Sequence, residues 1–223
     1  TFIEEMIKFS RECFHSKEIH IGMDESTEIG LGKYLGTHSF TDRVELFTQH
    51  IKKVIEICQK YDFSPMIWSD MYFRLNDPNT EYYRTTPLPE STIKMVPPEV
   101  SLVYWDYYHF DKKIYNDMIS YHKQTNNNLY FAGGAWRWKG YAPCLEGSFR
   151  NTIAALESCV SHGIKNVFVT GWGDNGNECS IYGVLPIIAF YSTSDYDDGV
   201  PLRLNFPDAY GDAVKKAGID YVT

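Results

Sequence analysis

The sequence predicts an α/β fold of parallel strands joined by helices, and three observations lead to this prediction. Short apolar segments alternate with amphipathic segments along the chain. The alternation repeats at roughly 30–45 residues, as expected for parallel strands joined by crossover helices. Each apolar segment ends in aromatic or acidic residues, and 223 residues suffice for one large domain.

The first part of the chain contains two predicted helices and two predicted strands. Residues 2–14 carry apolar side chains at helical spacing and lead into an apolar strand at 19–24. A glycine-containing loop follows, and acidic residues in the first turn favour a helix over 41–61. Residues 65–68 are short and apolar, which is typical of a buried strand.

The rest of the chain continues the alternation after one irregular segment. Residues 76–98 are polar and contain several prolines, so we expect a loop that leaves the sheet and could act as a lid. The later predicted strands cover 100–105, 129–132 and 166–170, and the later predicted helices cover 111–125, 146–162 and 181–191.

The ends of the predicted strands share a composition of aromatic and acidic residues. The five clusters are 23–25, 68–70, 104–108, 134–138 and 171–174. In a TIM-type (β/α) barrel the active site is built at the carboxyl ends of the strands, so clusters there predict such a barrel. A full barrel has eight strands, and the opening helix has no strand before it. We therefore expect an incomplete barrel of about five β/α units, forming one domain over residues 1–223.

Composition excludes several classes of partner. The formal charge of −8 argues against nucleic acid or an anionic membrane as the main partner. The five cysteines are odd in number and lack C-x-x-C spacing, so we expect free thiols and no thiolate zinc site. Free thiols favour a cytoplasmic location, and a secreted or surface location stays open if an N-terminal segment precedes this sequence. No glycine-rich phosphate loop occurs, and we expect no cofactor. Aromatic residues make up 16% of the chain, which suits a surface that stacks against sugar rings.

The adjacent carboxylates Asp24 and Glu25 carry the most chemical information. They follow an apolar strand directly, and crowding two carboxylates costs free energy unless they are paired or used. Because strand side chains alternate in direction, both cannot point inward from a regular strand. We expect the strand to end there, with Asp24 beside His20 and Gly22 and with Glu25 on the rim.

Together these motifs resemble glycoside hydrolase family 20, the β-N-acetylhexosaminidases, over about residues 1–192. The resemblance places 20–25 at the family's fourth strand, Trp68 after the fifth, Trp105 after the sixth, Trp136 with Trp138 after the seventh, and 171–174 after the eighth. The chain would then supply strands 4–8 of the barrel. The family's first three strands are absent from this sequence, together with an arginine that typically holds the outer hydroxyls of the sugar.

The resemblance implies an exo-acting enzyme that releases terminal β-linked GlcNAc or GalNAc from oligosaccharides or glycoconjugates. In this family the substrate's own acetamido oxygen attacks the anomeric carbon and forms an oxazolinium, an exception to the two-carboxylate scheme. Asp24 would remain ionised and orient the acetamido group, and Glu25 would act as general acid and then as base.

The resemblance also assigns the family's substrate-binding residues to positions in the aromatic clusters and in the loop that contains Asp174. Trp68, Trp105, Trp136 and Trp172 would wall the pocket, and Asp174 would accept hydrogen bonds from the 4- and 6-hydroxyls. His20, an inward-facing strand residue, would also bind the substrate. A tyrosine hydroxyl would hold the acetamido oxygen, with Tyr107 the first choice before Tyr108 and Tyr141.

Two alternatives remain open from the sequence, and a third, a metal site, is disfavoured. The chain could be a non-catalytic sugar-binding or inactive barrel fragment, as the missing strands suggest. It could be a glycosidase with a protein nucleophile, which needs a second carboxylate, such as Asp174 or Asp106, about 5–5.5 Å from Glu25. A metal site on His20, Asp24 and Glu25 lacks further ligands at suitable spacing. Because sheet edges are usually covered, we also expect either homo-oligomers or a preceding N-terminal segment.

Overall fold

A computed structural model describes residues 1–84, 86–174 and 176–193 of the chain. The five strands are β1 (Glu18–His20), β2 (Ser64–Trp68), β3 (Ser101–Trp105), β4 (Leu129–Gly134) and β5 (Asn166–Thr170). The helices are α1 (Phe2–Cys13), α2 (Lys33–Thr37), α3 (Arg43–Lys60), α4 (Asp70–Arg74), α5 (Glu90–Met95), α6 (Lys112–Lys123), α7 (Leu145–Ser161) and α8 (Leu185–Thr193), with a 3₁₀ helix at Ile181–Val184.

The strands occur in chain order, β1-β2-β3-β4-β5, in one sheet. The β1–β2, β2–β3 and β4–β5 pairs are parallel, with Ile19 opposite Pro65 and Ala132 opposite Phe168. The predicted α/β fold of parallel strands with helical connections is confirmed, and it is compatible with part of a TIM-type barrel.

The chain divides into two compact units. The first comprises Thr1–Tyr104 and Ser120–Leu129, and the second comprises Trp105–Ile119 and the described residues from Tyr130 onward. Each unit has its own apolar core. In the first unit Ile7, Val54, Cys58 and Phe63 pack together, and in the second the core residues are Ala135, Phe149, Val184, Ile187 and Phe190.

Local sequence signals explain where the long helices begin. At α1 the Thr1 side chain accepts from the Glu4 N–H, and the Glu4 side chain returns to the backbone of Thr1 as a capping box. At α3 the Asp42 carboxylate accepts from the N–H of Glu45. The buried residues of α3 recur every three or four positions, as at Phe47, Ile51 and Val54. This spacing explains why the sequence pattern predicted the helix.

Two regions differ from the sequence-based prediction. Strand β1 ends at His20, although a strand was predicted over 19–24, because the backbone leaves the extended region at Gly22 (φ 74°) and Met23 (φ 78°). The segment 76–98 contains α5, and it buries Tyr82 and Leu88. It is therefore packed against its own unit through apolar side chains that its polar composition concealed.

The helices and the cysteines of the chain have two further features. In the described part of the chain no helix combines the length and apolar character needed to cross a bilayer. All five cysteines lie within that part and are free thiols.

Candidate functional site

In the first unit, the turn after β1 presents the two adjacent carboxylates. Hydrogen bonds to β2 continue past the end of β1, from the Ile21 N–H to the Met66 carbonyl (2.9 Å) and from the Trp68 N–H to the Gly22 carbonyl (3.0 Å). The backbone then turns, with positive φ at Gly22, at Met23 and again at Glu25 (49°). A side-chain-bearing residue in this region costs on the order of 1–3 kcal/mol, so surrounding contacts must hold the turn. We call residues 22–25 the acid turn.

The two carboxylates of the acid turn have different neighbours. A Cβ built on Gly22 would lie 3.8 Å from Asp24 Oδ1, so the Asp24 carboxylate folds back over the glycine. The Glu25 side chain is 66% exposed, and its Oε1 lies 3.5 Å from an Nη of Arg74. One turn therefore gives neighbouring acids separate surroundings, which chemistry with separate roles requires.

Asp70 lies beneath the acid turn at the first residue of α4. Its side chain is fully buried, and Oδ2 accepts from the Glu25 N–H (3.1 Å) and from Arg74 Nε (2.9 Å). Oδ1 is also buried and has no hydrogen-bond partner among the described residues. Burial raises the pKa of Asp70, and the hydrogen bonds from Glu25 and Arg74 oppose that rise.

Arg74 links three parts of the first unit. It donates to Asp70 within α4, to the Thr80 carbonyl (3.0 Å) in the segment after α4, and it faces Glu25. Its side chain is 18% exposed, so the guanidinium is far less accessible than the Glu25 carboxylate that it faces. Arg74 was missed by the sequence reasoning, although the i,i+4 spacing from Asp70 was a signal for this ion pair.

A buried polar network fixes the start of α4. Ser69 Oγ donates to the Val103 carbonyl (2.9 Å) and lies 2.9 Å from the Tyr82 hydroxyl and 2.7 Å from His122 Nε2. Ser69 and His122 are both buried. These contacts join β3, α6 and the segment after α4 to the residue directly before Asp70, so Asp70 has a rigid support.

His20 and Trp68 pack together below the acid turn. Their ring centroids are 4.4 Å apart, and Trp68 is only 8% exposed. His20 Nδ1 accepts from the Gly22 N–H (3.1 Å), so the neutral ring carries its proton on Nε2. Burial lowers the pKa of His20 to about 4, and the charge of Asp24 opposes this effect. At neutral pH His20 is therefore an uncharged support of the turn.

In the second unit, Tyr107 is the centre of an aromatic cluster. Its ring stacks on Trp105 at 5.3 Å and meets Trp138 edge-on at 5.3 Å. Its hydroxyl accepts from Trp172 Nε1 at 3.1 Å, and its carbonyl accepts from Trp136 Nε1 at 2.7 Å. The structure thus brings Tyr107 together with three of the tryptophans predicted from sequence, Trp105, Trp136 and Trp172.

The other tyrosine candidates have different positions. Tyr108 is 41% exposed and packs edge-on against Trp136 at 5.2 Å, and Tyr141 is 85% exposed. Of the three tyrosines only Tyr107 is buried. The Tyr107 hydroxyl oxygen accepts from the Trp172 indole N–H, and a phenol hydroxyl can also donate one hydrogen bond.

Arg137 holds the loop that follows β5. Its buried guanidinium donates to the carbonyls of Cys179 (2.7 Å), Gly171 (3.3 Å) and Trp172 (3.2 Å) and to the Asn177 side chain. Trp172 is 40% exposed and Asp174 is exposed on this loop. Arg137 belongs to the cluster 134–138 at the end of β4, and its hydrogen bonds fix the loop after β5.

Asp106 is a buried carboxylate that orients His109. It accepts from the backbone N–H of Tyr108 (3.0 Å) and lies 2.8 Å from His109 Nδ1. The hydrogen bond from His109 to Asp106 raises the pKa of His109 against the effect of its partial burial. The contacts of Asp106 suit an orienting group better than an attacking nucleophile.

The first unit and the second unit therefore each contain part of the predicted site. His20, Trp68, Asp24 and Glu25 lie in the first unit, and Trp105, Tyr107, Trp136, Trp172 and Asp174 lie in the second. Within residues 1–84, 86–174 and 176–193, no group of three or more His, Cys, Asp or Glu side chains is arranged to hold a metal ion.

No model of a protein family matches the sequence, and no curated protein matches it.

Proposed function

We propose that this chain is the catalytic part of a retaining glycoside hydrolase that releases terminal β-linked N-acetylhexosamine, as its resemblance to family 20 implies. The observation that carries the proposal is the acid turn. Left-handed backbone at Met23 and Glu25 presents two adjacent carboxylates, and a buried carboxylate holds the turn from below. Strained backbone of this kind is concentrated at functional sites. We further propose that β1–β5 are strands 4–8 of a TIM-type barrel.

The two acids would divide the chemistry. Asp24, folded over Gly22, would orient the acetamido N–H of the substrate and offset the positive charge that develops as the acetamido oxygen attacks the anomeric carbon. Glu25, which faces Arg74, would protonate the departing glycosidic oxygen. It would then remove a proton from the water that opens the oxazolinium. Proton transfer by a positioned group contributes about 10²–10⁴ in rate.

The aromatic cluster would bind the sugar. Tyr107 would donate its hydroxyl proton to the acetamido oxygen, because the same hydroxyl accepts from Trp172 and is held in place. Trp105, Trp136 and Trp172 would pack against the acetamido methyl and the sugar ring, and Trp68 would support the acid turn. Asp174 is exposed on its loop and could accept from the outer hydroxyls.

The test is hydrolysis of 4-nitrophenyl β-N-acetylglucosaminide by the 223-residue chain. We expect activity in the wild type and a loss of about 10²–10⁴-fold in Glu25→Gln and in Asp24→Asn. Glu28→Gln is the matched control, since Glu28 is an exposed acid three residues from Glu25.

Each other outcome has a distinct meaning. Full activity in Asp24→Asn would contradict the substrate-assisted mechanism and favour a protein nucleophile. An inactive wild-type chain that still binds N-acetylglucosamine in calorimetry would favour the non-catalytic sugar-binding alternative. An inactive chain that binds no amino sugar would contradict the proposal altogether.

A further inference from the structure

We propose that Asp70 and Arg74 are positioning residues for Glu25. Asp70 holds the backbone N–H of Glu25, and Arg74 faces the carboxylate of Glu25. This inference rests on the proposed function, because it assigns to both residues a part in the acid step. Neither residue needs to touch the substrate.

Burial of the Asp70 carboxylate is unfavourable in free energy, which suggests that it has a specific role. A fully buried carboxylate pays several kcal/mol in desolvation, which only good hydrogen bonds and a paired charge recover. Here one oxygen has two donors and the other has none among the described residues. A helix-stabilising ion pair with Arg74 could form on the surface without this cost. Asp70 instead reaches 45 residues back along the chain to the Glu25 N–H.

The N–H that donates to Asp70 belongs to Glu25, whose backbone conformation is unfavourable without stabilising contacts. Glu25 has φ 49°, a conformation in which a non-glycine residue is uncommon. The acceptor is anchored at its base, because Ser69 directly before it makes hydrogen bonds with Val103 and His122. Asp70 therefore fixes the point from which the Glu25 side chain departs.

Arg74 acts on the other end of Glu25. Two of its bonds, to Asp70 and to the Thr80 carbonyl, hold the guanidinium in place. Its distance of 3.5 Å to Glu25 Oε1 exceeds the 2.7–2.9 Å or so of a strong charge-assisted hydrogen bond. The carboxylate is also mostly exposed, so solvent weakens the pair. Arg74 thus guides the carboxylate toward one orientation and leaves it able to move to a substrate.

The test uses the leaving group to separate positioning of the acid from a general structural effect. A phenyl leaving group needs protonation by Glu25, whereas a 2,4-dinitrophenyl leaving group needs little. For Asp70→Asn we expect kcat/KM for phenyl β-N-acetylglucosaminide to fall on the order of 10–100-fold, as misplaced catalytic groups do. We expect kcat/KM for the dinitrophenyl substrate to fall much less, because kcat/KM reports the steps up to leaving-group departure and excludes the later opening of the oxazolinium, in which Glu25 acts as base. Glu25→Gln should show the same pattern with a larger loss.

Three further variants keep the test independent of folding defects. Arg74→Met should give the same dependence on the leaving group with a smaller loss, and Arg74→Lys should recover part of it. Asp117→Asn is the matched control, because it breaks another i,i+4 ion pair, with Lys113 in α6, by the same substitution. Equal losses for both leaving groups in Asp70→Asn would overturn a positioning role.

A measurement without substrate tests the backbone contact alone. In hydrogen exchange the Glu25 amide should be protected in the wild type and exchange faster in Asp70→Asn, but not in Asp117→Asn. Unchanged exchange would overturn the hydrogen bond on which the inference depends. A wild type that hydrolyses neither substrate would overturn the proposed function and any role for Asp70 in it, and the exchange result would show whether Asp70 still holds the turn.

Discussion

The acid turn and the aromatic cluster are held in place by different forces. In the first unit, the charges of Asp70 and Arg74 hold a turn with left-handed backbone. In the second unit, neutral indole and amide donors hold the backbone of Tyr107, and Trp136 and Asn151 both donate to its carbonyl. The comparison teaches that the proposed proton-transfer group depends on contacts between charged side chains, whereas the proposed sugar-binding surface depends on hydrogen bonds to neutral acceptors and on packing.

The two arginines should show this difference most strongly. Arg137 is buried and bonds to four neutral acceptors on one loop, so Arg137→Met would leave several of these groups without donors. We expect a loss of about 3 kcal/mol in the free energy of unfolding. Arg74→Met leaves the fully buried Asp70 carboxylate without its paired charge, so we expect a larger loss, about 3–5 kcal/mol. Urea unfolding of both variants measures the two losses, and a smaller loss in Arg74→Met would contradict the comparison.

The next effect concerns packing around Tyr107. A Cβ on Gly134 would lie 2.6 Å from Tyr107 Cδ1 and 2.8 Å from the Trp138 ring. Gly134→Ala should therefore displace the cluster and cost about 1–3 kcal/mol. Gly36→Ala is the control, because a Cβ there meets nothing within 4 Å and α2 should gain about 0.5–1 kcal/mol. A fully stable Gly134→Ala with unchanged tryptophan fluorescence would show that the cluster is loosely packed.

Two histidines sharpen the comparison through pH. The pKa of His109 is raised by its hydrogen bond to Asp106, so its contribution to stability is complete below about pH 6.5 and is lost as the pH rises through the folded-state pKa. The pKa of His20 is lowered to about 4 by burial, so its contribution is complete above about pH 6.5 and is lost as the pH falls toward 4. NMR titration of the ring signals should give a pKa above the ordinary histidine value for His109 and a pKa below it for His20. Two pKa values displaced in the same direction would contradict the surroundings described for these histidines.

The smallest expected effect is at Lys139. Its ammonium lies 5.2 Å from the Trp136 ring centroid and 5.7 Å from that of Tyr108, and the side chain is exposed. Exposed cation–π contacts contribute about 0.5–1 kcal/mol, so Lys139→Ala should change the stability by no more than that. If Trp136 binds a sugar ring, this substitution should alter KM more than kcat, which steady-state kinetics can measure.

Periodicity and composition predicted the long helices and the strand order well, because apolar spacing records burial directly. The helices α2, α4 and α5 were missed, since five or six residues are too few to show a period and tertiary contacts stabilise them. The end of β1 was misplaced because Met23 adopts a left-handed conformation that nothing in its side chain requires.

The candidate site was predictable only as far as adjacent residues could show it. Asp24 and Glu25 stand next to each other in the sequence, so their pairing was visible at once. The bonds of Arg137 to residues 34–42 positions away, and that of Asp70 to Glu25, join distant parts of the chain and leave no mark in local sequence. Hydrogen bonds between residues so far apart in sequence can be identified only once the fold is known.

The measurement that most directly tests the proposed chemistry is a substituent series on the substrate. In 4-nitrophenyl glycosides of N-acetyl-, N-fluoroacetyl- and N-trifluoroacetylglucosamine, each fluorine makes the amide oxygen a weaker nucleophile. If that oxygen attacks the anomeric carbon, kcat/KM falls steeply along the series in the wild type. Nearly equal values along the series, or no hydrolysis of any member, would contradict substrate-assisted catalysis at Asp24 and Glu25.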